Sequence, residues 1–195
     1  MHARILRTAG FVMFISLIMP AGRLFAIKIG RTFGISSKAA NWADTEKAAH
    51  LLNQMQTLAL KASKQVGPLR VQEVQLNWQE QASRLGNAKW DINRIGADLL
   101  RLGRMKKELE PWQQSLAAKV TPDVHEMVYQ MDQAIRDVKT DQSSVVLAMG
   151  EYPQTINMIH QQADRMAGTI GTVTRYASAA QRLAVLEGRT ASPRS

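Results

Sequence analysis

Between Val71 and Leu109 the apolar residues return on a seven-residue beat, and this feature limits the chain more than any other. Val71, Val74, Trp78, Leu85, Ala88, Ile92, Ile95, Leu99, Leu102 and Leu109 fall at alternating steps of three and four. Only Gln81 and Lys106 interrupt the series. Such spacing places one narrow apolar face along a helix, and that face is stable only when other helices cover it. A strand would need alternation at every second residue, which the segment lacks.

Three more segments carry the helical period. The first stripe is Ala48, Leu52, Met55, Ala59, Ala62 and Val66, widened by Leu51 and Leu58, with Ser37 as its expected cap. Gly67-Pro68 is expected to end that helix, because Pro removes a backbone donor and Gly tolerates a left-handed turn. The heptad segment then reads as one helix over about 69–109, roughly 60 Å long if unbroken. Gly86, Gly96 and Gly103 lie inside it, and the stripe continues through all three. Pro111-Trp112 reads as a turn, with Thr121 capping a third helix and Pro122 in its first position. The third stripe is Val124, Val128, Met131, Ile135, Val138, Gln142, Val145 and Met149, stopped by Gly150. Pro153 starts the fourth: Ile156, Ile159, Ala163, Met166, Ile170, Val173, Ala177, Ala180 and Ala184. Short connections favour antiparallel neighbours, so the expected fold is all-α: an elongated antiparallel bundle of about four helices with coiled-coil-like seams. The bundle domain is expected to cover residues 38–188, followed by a disordered tail at 189–195.

The N-terminus reads as an address. Arg4 and Arg7 precede the apolar run AGFVMFISLIM at residues 9–19, Pro20 and Gly22 break it, and Leu24-Phe25-Ala26 offers a cleavage site. That is the layout of a secretory signal peptide over residues 1–26, with 27–37 as a flexible lead-in. The expected location is therefore outside the cytoplasm, in a periplasm or cell envelope. The alternative is a membrane anchor at residues 9–22, in which case only this segment meets the membrane.

The formal charge of +9 suggests nucleic acid until it is mapped. Residues 1–38 hold six cations and no acid, and Arg189 and Arg194 follow the last acid, Glu187. That leaves 17 cations between residues 39 and 188 against all 16 acids, so the body is nearly neutral. A nucleic-acid partner is not expected. Cysteine is absent, which removes disulfides, thiolate metal sites and a thiol nucleophile.

Candidate chemistry is thin, and no catalytic residue, metal or cofactor is expected. His125-Glu126 begins a zincin-like pattern, but Tyr129 stands where the second His belongs. His160 and Asp164 lie one turn apart, which more often makes an ion pair than a metal site. Gly168-Thr169-Ile170-Gly171 has the look of close helix packing rather than a phosphate loop. Met55, Met131, Met149 and Met166 fall on the stripes as core, while Met105, Met127 and Met158 flank them. Candidate interaction residues are Trp78, Trp90, Trp112 and Met105, with Trp112 the aromatic most expected to be exposed. Surplus apolar surface on the long helix would need a cover, and a second copy forming a homodimer is one candidate.

These features point to an exported helical protein that works through protein contacts rather than catalysis, as scaffold or structure. One alternative is an assembly component of an envelope secretion or conjugation apparatus, from Gln-rich helices such as Leu51–Gln56 joined to an export-type N-terminus. Another is a four-helix ligand-sensing module, which needs a polar pocket between helices. Gln81 and Gln142 are the seam positions that offer one.

Overall fold

The computed structural model describes residues 42–71 and 76–190. The expected signal peptide, the lead-in, the Ser37 cap, Val74 and residues 191–195 lie outside the described residues. Among the described residues five helices form: α1 (Trp42–Val71), α2 (Trp78–Arg104), α3 (Pro111–Asp141), α4 (Ser144–Met149) and α5 (Tyr152–Thr190). The protein is an all-α bundle, as expected. Its four long helices make a square in which α1 packs on α2 and α5, and α3 packs on the same two. Gln56 and Gly67 of α1 meet Gly171 and His160 of α5, and Lys89 and Leu102 of α2 meet Asp132 and Ala117 of α3, so these neighbours run antiparallel.

The stripe of α1, and that of α5 as far as Ala177, are seated as their spacing requires, whereas Ala180 and Ala184 are only half-buried. Ala48, Leu52, Met55, Ala59, Ala62 and Val66 are fully buried, and so are Ile156, Ile159, Ala163, Met166 and Ile170. Gly171 shows the close approach expected of the glycine pair, since a Cβ there would collide with the Gln56 side-chain amide on α1. Gly168 does not, because it meets open space.

The boundaries differ from expectation, and proline explains most of the difference. Helix α1 does not stop at Gly67-Pro68 but runs to Val71 with Pro68 inside it. An interior Pro costs about 3 kcal/mol. Extending the helix carries Leu69 to complete burial, a gain of about 1.5–3 kcal/mol, so the two nearly offset. The heptad segment is therefore not one helix over 69–109. Val71 closes α1, and α2 opens at Trp78, capped by Asn77, whose Oδ1 accepts from the Glu80 amide at 2.8 Å. At 27 residues α2 is the shortest of the four long helices, and α5, with 39, is the longest.

Helix α3 likewise starts ten residues earlier than Thr121. Pro111 occupies its first turn, and Glu110 and Gln113 close a capping box in which the Glu110 amide donates to Gln113 Oε1 at 3.0 Å. Pro122 sits inside the helix instead of starting it. It faces solvent between the buried Val120 and Val124, so water can solvate the carbonyl it leaves unpaired. Thr121 does not cap but donates to the Ala117 carbonyl at 2.7 Å.

The third stripe fails beyond Val138. Gln142 adopts a left-handed conformation with φ 43° and ends α3. The turn changes the helical phase, so in α4 Leu147 enters the core while Val145 and Met149 are exposed, against expectation. Met127, placed beside a seam by its spacing, is fully buried core.

Gly86 and Gly168 are exposed helix-interior positions with open space where a Cβ would go. Replacing either by Ala is expected to stabilise the protein by about 0.5–1 kcal/mol in thermal denaturation. Gly171→Ala should gain less, because its Cβ must displace the Gln56 amide. Loss of stability in Gly86→Ala would contradict a continuous α2.

Candidate functional site

The four candidate interaction residues do not converge. Trp78 opens α2 and is half-buried against the core, and Met105, just past its other end, is packed likewise. Trp112 was expected to stand exposed in a turn; it is instead 4% exposed on the first turn of α3. The early start of α3 explains the reversal. Its indole Nε1 donates to Glu110 Oε2, the same side chain that takes part in the capping box. The turn before it is pinned by Gln114, whose Nε2 donates to the carbonyls of Lys106 and Leu109 at 3.1 and 3.0 Å. Only Trp90 is open, at 59% exposure, with the Arg94 guanidinium 4.6 Å above its ring. It stands on an outer face of α2 that also exposes Ala97, Leu100 and Arg101.

The apolar face of α2 carries two buried carboxylates that its stripe conceals. Asp91 and Asp98 are 6% and 2% exposed and lie one heptad apart, beside Ile92 and Leu99. Their seven-residue spacing was the available signal, but isolated acids beside a stripe normally face water. Burial raises the Asp91 carboxyl above its ordinary value, with the charges of Lys61 on α1 and of Arg94 opposing it. Asp98 Oδ1 accepts from Arg101 Nη1 at 3.0 Å, while Oδ2 has no hydrogen-bond partner. Between α1 and α2 runs an open groove of about 390 Å³, lined by His50, Asn53, Gln54, Thr57, Lys61 and Arg94.

The seam glutamines are structural or exposed. Gln81 is buried, and its Nε2 donates to the Leu76 carbonyl at 3.0 Å and to Ser144 Oγ at 3.3 Å. Ser144 Oγ in turn donates to the same carbonyl at 2.6 Å, so the start of α4 is tied to the approach to α2. Gln142 is exposed.

His160 and Asp164 are more than a surface pair, because Ser63 of α1 joins them. Ser63 Oγ donates to Asp164 Oδ1 at 2.6 Å and lies 2.8 Å from His160 Nδ1. His160 Nε2 is 3.5 Å from Asp164 Oδ2. Which of Ser63 Oγ and His160 Nδ1 donates is set by the imidazole tautomer. In either tautomer the trio clamps α1 to α5. Among the described residues no three His, Cys, Asp or Glu side chains are grouped to hold a metal ion.

One cleft collects polar groups from three helices. Glu46 on α1, Trp112 and Gln113 on α3, and Thr174, Ser178 and Gln181 on α5 line about 330 Å³ at one end of the bundle. The Thr174 hydroxyl there is buried without a hydrogen-bond partner. No protein-family model matches the chain, and no curated protein or solved structure shows significant similarity to it.

The two tryptophans should separate sharply on truncation. Trp112→Ala is expected to cost about 3–5 kcal/mol in chemical denaturation, and Trp90→Ala to stay within about 0.5 kcal/mol. Ser63→Ala strips His160 and Asp164 of their link across the helices and should cost about 1–2 kcal/mol. For Asp91 the sign follows from its raised carboxyl. The protonated form is favoured in the fold, so its stabilising contribution is present at low pH and lost as pH rises through the folded-state value. Asp91→Asn should therefore melt above the parent at pH near 7, with the advantage shrinking towards pH 4. A lower melting temperature at neutral pH would mean that Lys61 and Arg94 outweigh burial.

Proposed function

We propose that this chain is a non-catalytic, exported helical protein of the periplasm or cell envelope that works by presenting its surface to a protein partner. The observation that carries the contact reading is the outer face of α2. Trp90 stands there 59% exposed with the Arg94 guanidinium 4.6 Å above its ring. Trp and Arg are the residue types enriched where interface energy concentrates. The export reading rests on the sequence of residues 1–26. The position of the Ser63–His160–Asp164 grouping, bridging α1 and α5, favours a structural use of it.

The alternative is that the chain is itself an assembly component of an envelope secretion or conjugation apparatus, and a second copy of this chain is one candidate partner. A ligand-sensing role has one observation in its favour, the cleft that sets the Trp112 edge beside the unpartnered Thr174 hydroxyl.

Location and contact are tested separately. Mass spectrometry of the protein from fractionated cells should find a mature N-terminus at or near Ile27 in the periplasmic or envelope fraction. An intact Met1 in the cytosol would overturn the export reading. Cross-linking from a photoreactive group at position 90 should capture one defined protein, and sedimentation would reveal it as self when the mass doubles. Absence of any adduct at position 90, with adducts at a control site on α3, would overturn the contact reading.

A further inference from the structure

The outer face of α2 and the groove beside it are one surface, because Arg94 belongs to both. Arg94 lines the groove between α1 and α2, and its guanidinium lies 4.6 Å above the Trp90 ring. Across the groove α1 presents His50, Asn53, Gln54, Thr57 and Lys61. Thr57 spends its hydroxyl proton on the Asn53 carbonyl at 3.0 Å. The other polar groups lining the groove are the His50 ring, two carboxamides and two cations. All can donate hydrogen bonds, and no carboxylate stands among them.

The acids of this stretch lie beneath the surface or turn elsewhere. Asp98 is 2% exposed and is bonded to Arg101. Asp91 is 6% exposed and stands close enough to feel Lys61 and Arg94, yet it makes no hydrogen bond or ion pair to either. It offsets at most one of those two charges. Glu46, one turn before His50, lines the cleft on the α5 side instead. Among the described residues Lys61 has no bonded acid, and Arg94 has only the Trp90 ring. Lys64, exposed one turn beyond Lys61, adds a further cation. The surface thus keeps a net positive charge with its donors unspent.

We infer that this surface takes an acidic segment of the protein partner, with a carboxylate seated between Lys61 and Arg94 and an apolar neighbour against Trp90. The inference rests on the contact reading and deepens it by naming the partner's chemistry. Charge complementarity chooses the occupant, since a basic segment would meet Lys61 and Arg94 first. A guanidinium over an aromatic ring keeps N–H groups for a carboxylate, which it can hold through two parallel bonds. The carboxamides of Asn53 and Gln54 can donate to the carbonyls of an extended backbone and accept from its amides. Trp90, 59% exposed, supplies the single apolar anchor that a side chain next to the acid would cover. Nucleic acid fits less well, because a phosphate at every step calls for a row of cations and leaves the indole edge idle.

Titration of the full-length protein with short capped peptides, followed residue by residue in amide NMR spectra, tests it. One peptide alternates glutamate with leucine, and the other alternates lysine with leucine. The acidic peptide should shift amides within residues 50–61 and 90–94, the basic one should not, and added salt should weaken the effect. Lys61→Gln/Arg94→Gln should lower affinity for the acidic peptide by about tenfold. Arg94→Lys, which keeps the charge and loses the paired N–H groups, should fall between that variant and the parent. Arg136→Gln/Lys139→Gln removes the same charge from exposed positions on α3 and should bind like the parent. Lys61 and Arg94 are exposed too, and unchanged helical circular dichroism would verify the fold. Several results would overturn the inference: no shift at the groove, equal shifts from both peptides, or parent-like affinity in Lys61→Gln/Arg94→Gln. Shifts confined to the basic residues 1–38, or tighter binding of duplex DNA at the same groove residues, would overturn it as well. A position-90 adduct that persists in Lys61→Gln/Arg94→Gln would sink this inference and leave the contact reading standing, whereas absence of any adduct in the parent removes both.

Discussion

The seam between α1 and α5 is the contact on which the rest of this bundle depends. Both helices give uninterrupted small and medium apolar stripes, and along α1 the stripe is fully buried from Ala48 to Val66. Alanines at positions 48, 59, 62 and 163 let the two backbones approach, and Gly171 brings one close enough that the Gln56 amide fills the place of a Cβ. Apolar stripes alone leave axial sliding inexpensive, because one alanine resembles the next. The Ser63–His160–Asp164 trio supplies the missing register, since its hydrogen bonds exist at one offset only. With that pair fixed, α2 and α3 close the square from the other side.

How much of this was legible depends on which physical signal a residue carries. Helical period survives in any sequence whose helices bury one face, so the all-α fold and the stripes of α1 and α5 could be read directly. Helix ends are different, because Pro carries two meanings. At Pro111 and Pro153 it opens a helix, where its missing donor would be unpaired anyway. At Pro68 and Pro122 it lies within one, and nothing local distinguishes the cases. Burial of Leu69 decides the first, and the solvent-facing position of Pro122 decides the second. Both depend on neighbours that the linear sequence does not reveal. The beat from Val71 to Trp78 was preserved across two separate helices, so periodicity alone hid a break that Asn77 marks as a cap.

The polar interior was legible only in part. Gln81 interrupts a stripe and therefore announces itself, and its use in tying Leu76 to Ser144 fits the usual role of a buried amide in fixing a particular arrangement. Asp91 and Asp98 gave no such notice. They sit beside the stripe, where a charge on a narrow-seamed helix would face water, yet α2 buries a wider arc because both α1 and α3 pack on it. Arc width is a property of the packing. The same widening draws Met127 inward on α3, while Met149, beyond the left-handed Gln142, is left outside.

Unequal helix lengths give the molecule its asymmetry. Four antiparallel helices of 30, 27, 31 and 39 residues cannot all end together, and the excess belongs to α5 rather than to the heptad segment that first drew notice. A helix within the square has two neighbours to cover it, and beyond the start of α3 the end of α5 keeps only α1 beside it. Its stripe then ceases to be a seam and becomes surface, so apolar residues retained there, such as Leu183 and Leu186, serve no internal packing. The α2 face around Trp90 differs in kind, because it lies along the side of the square and its width is set by the two neighbours already in place. Side and end thus differ in shape: a broad polar strip with one exposed aromatic, and an apolar turn at the end of the longest helix.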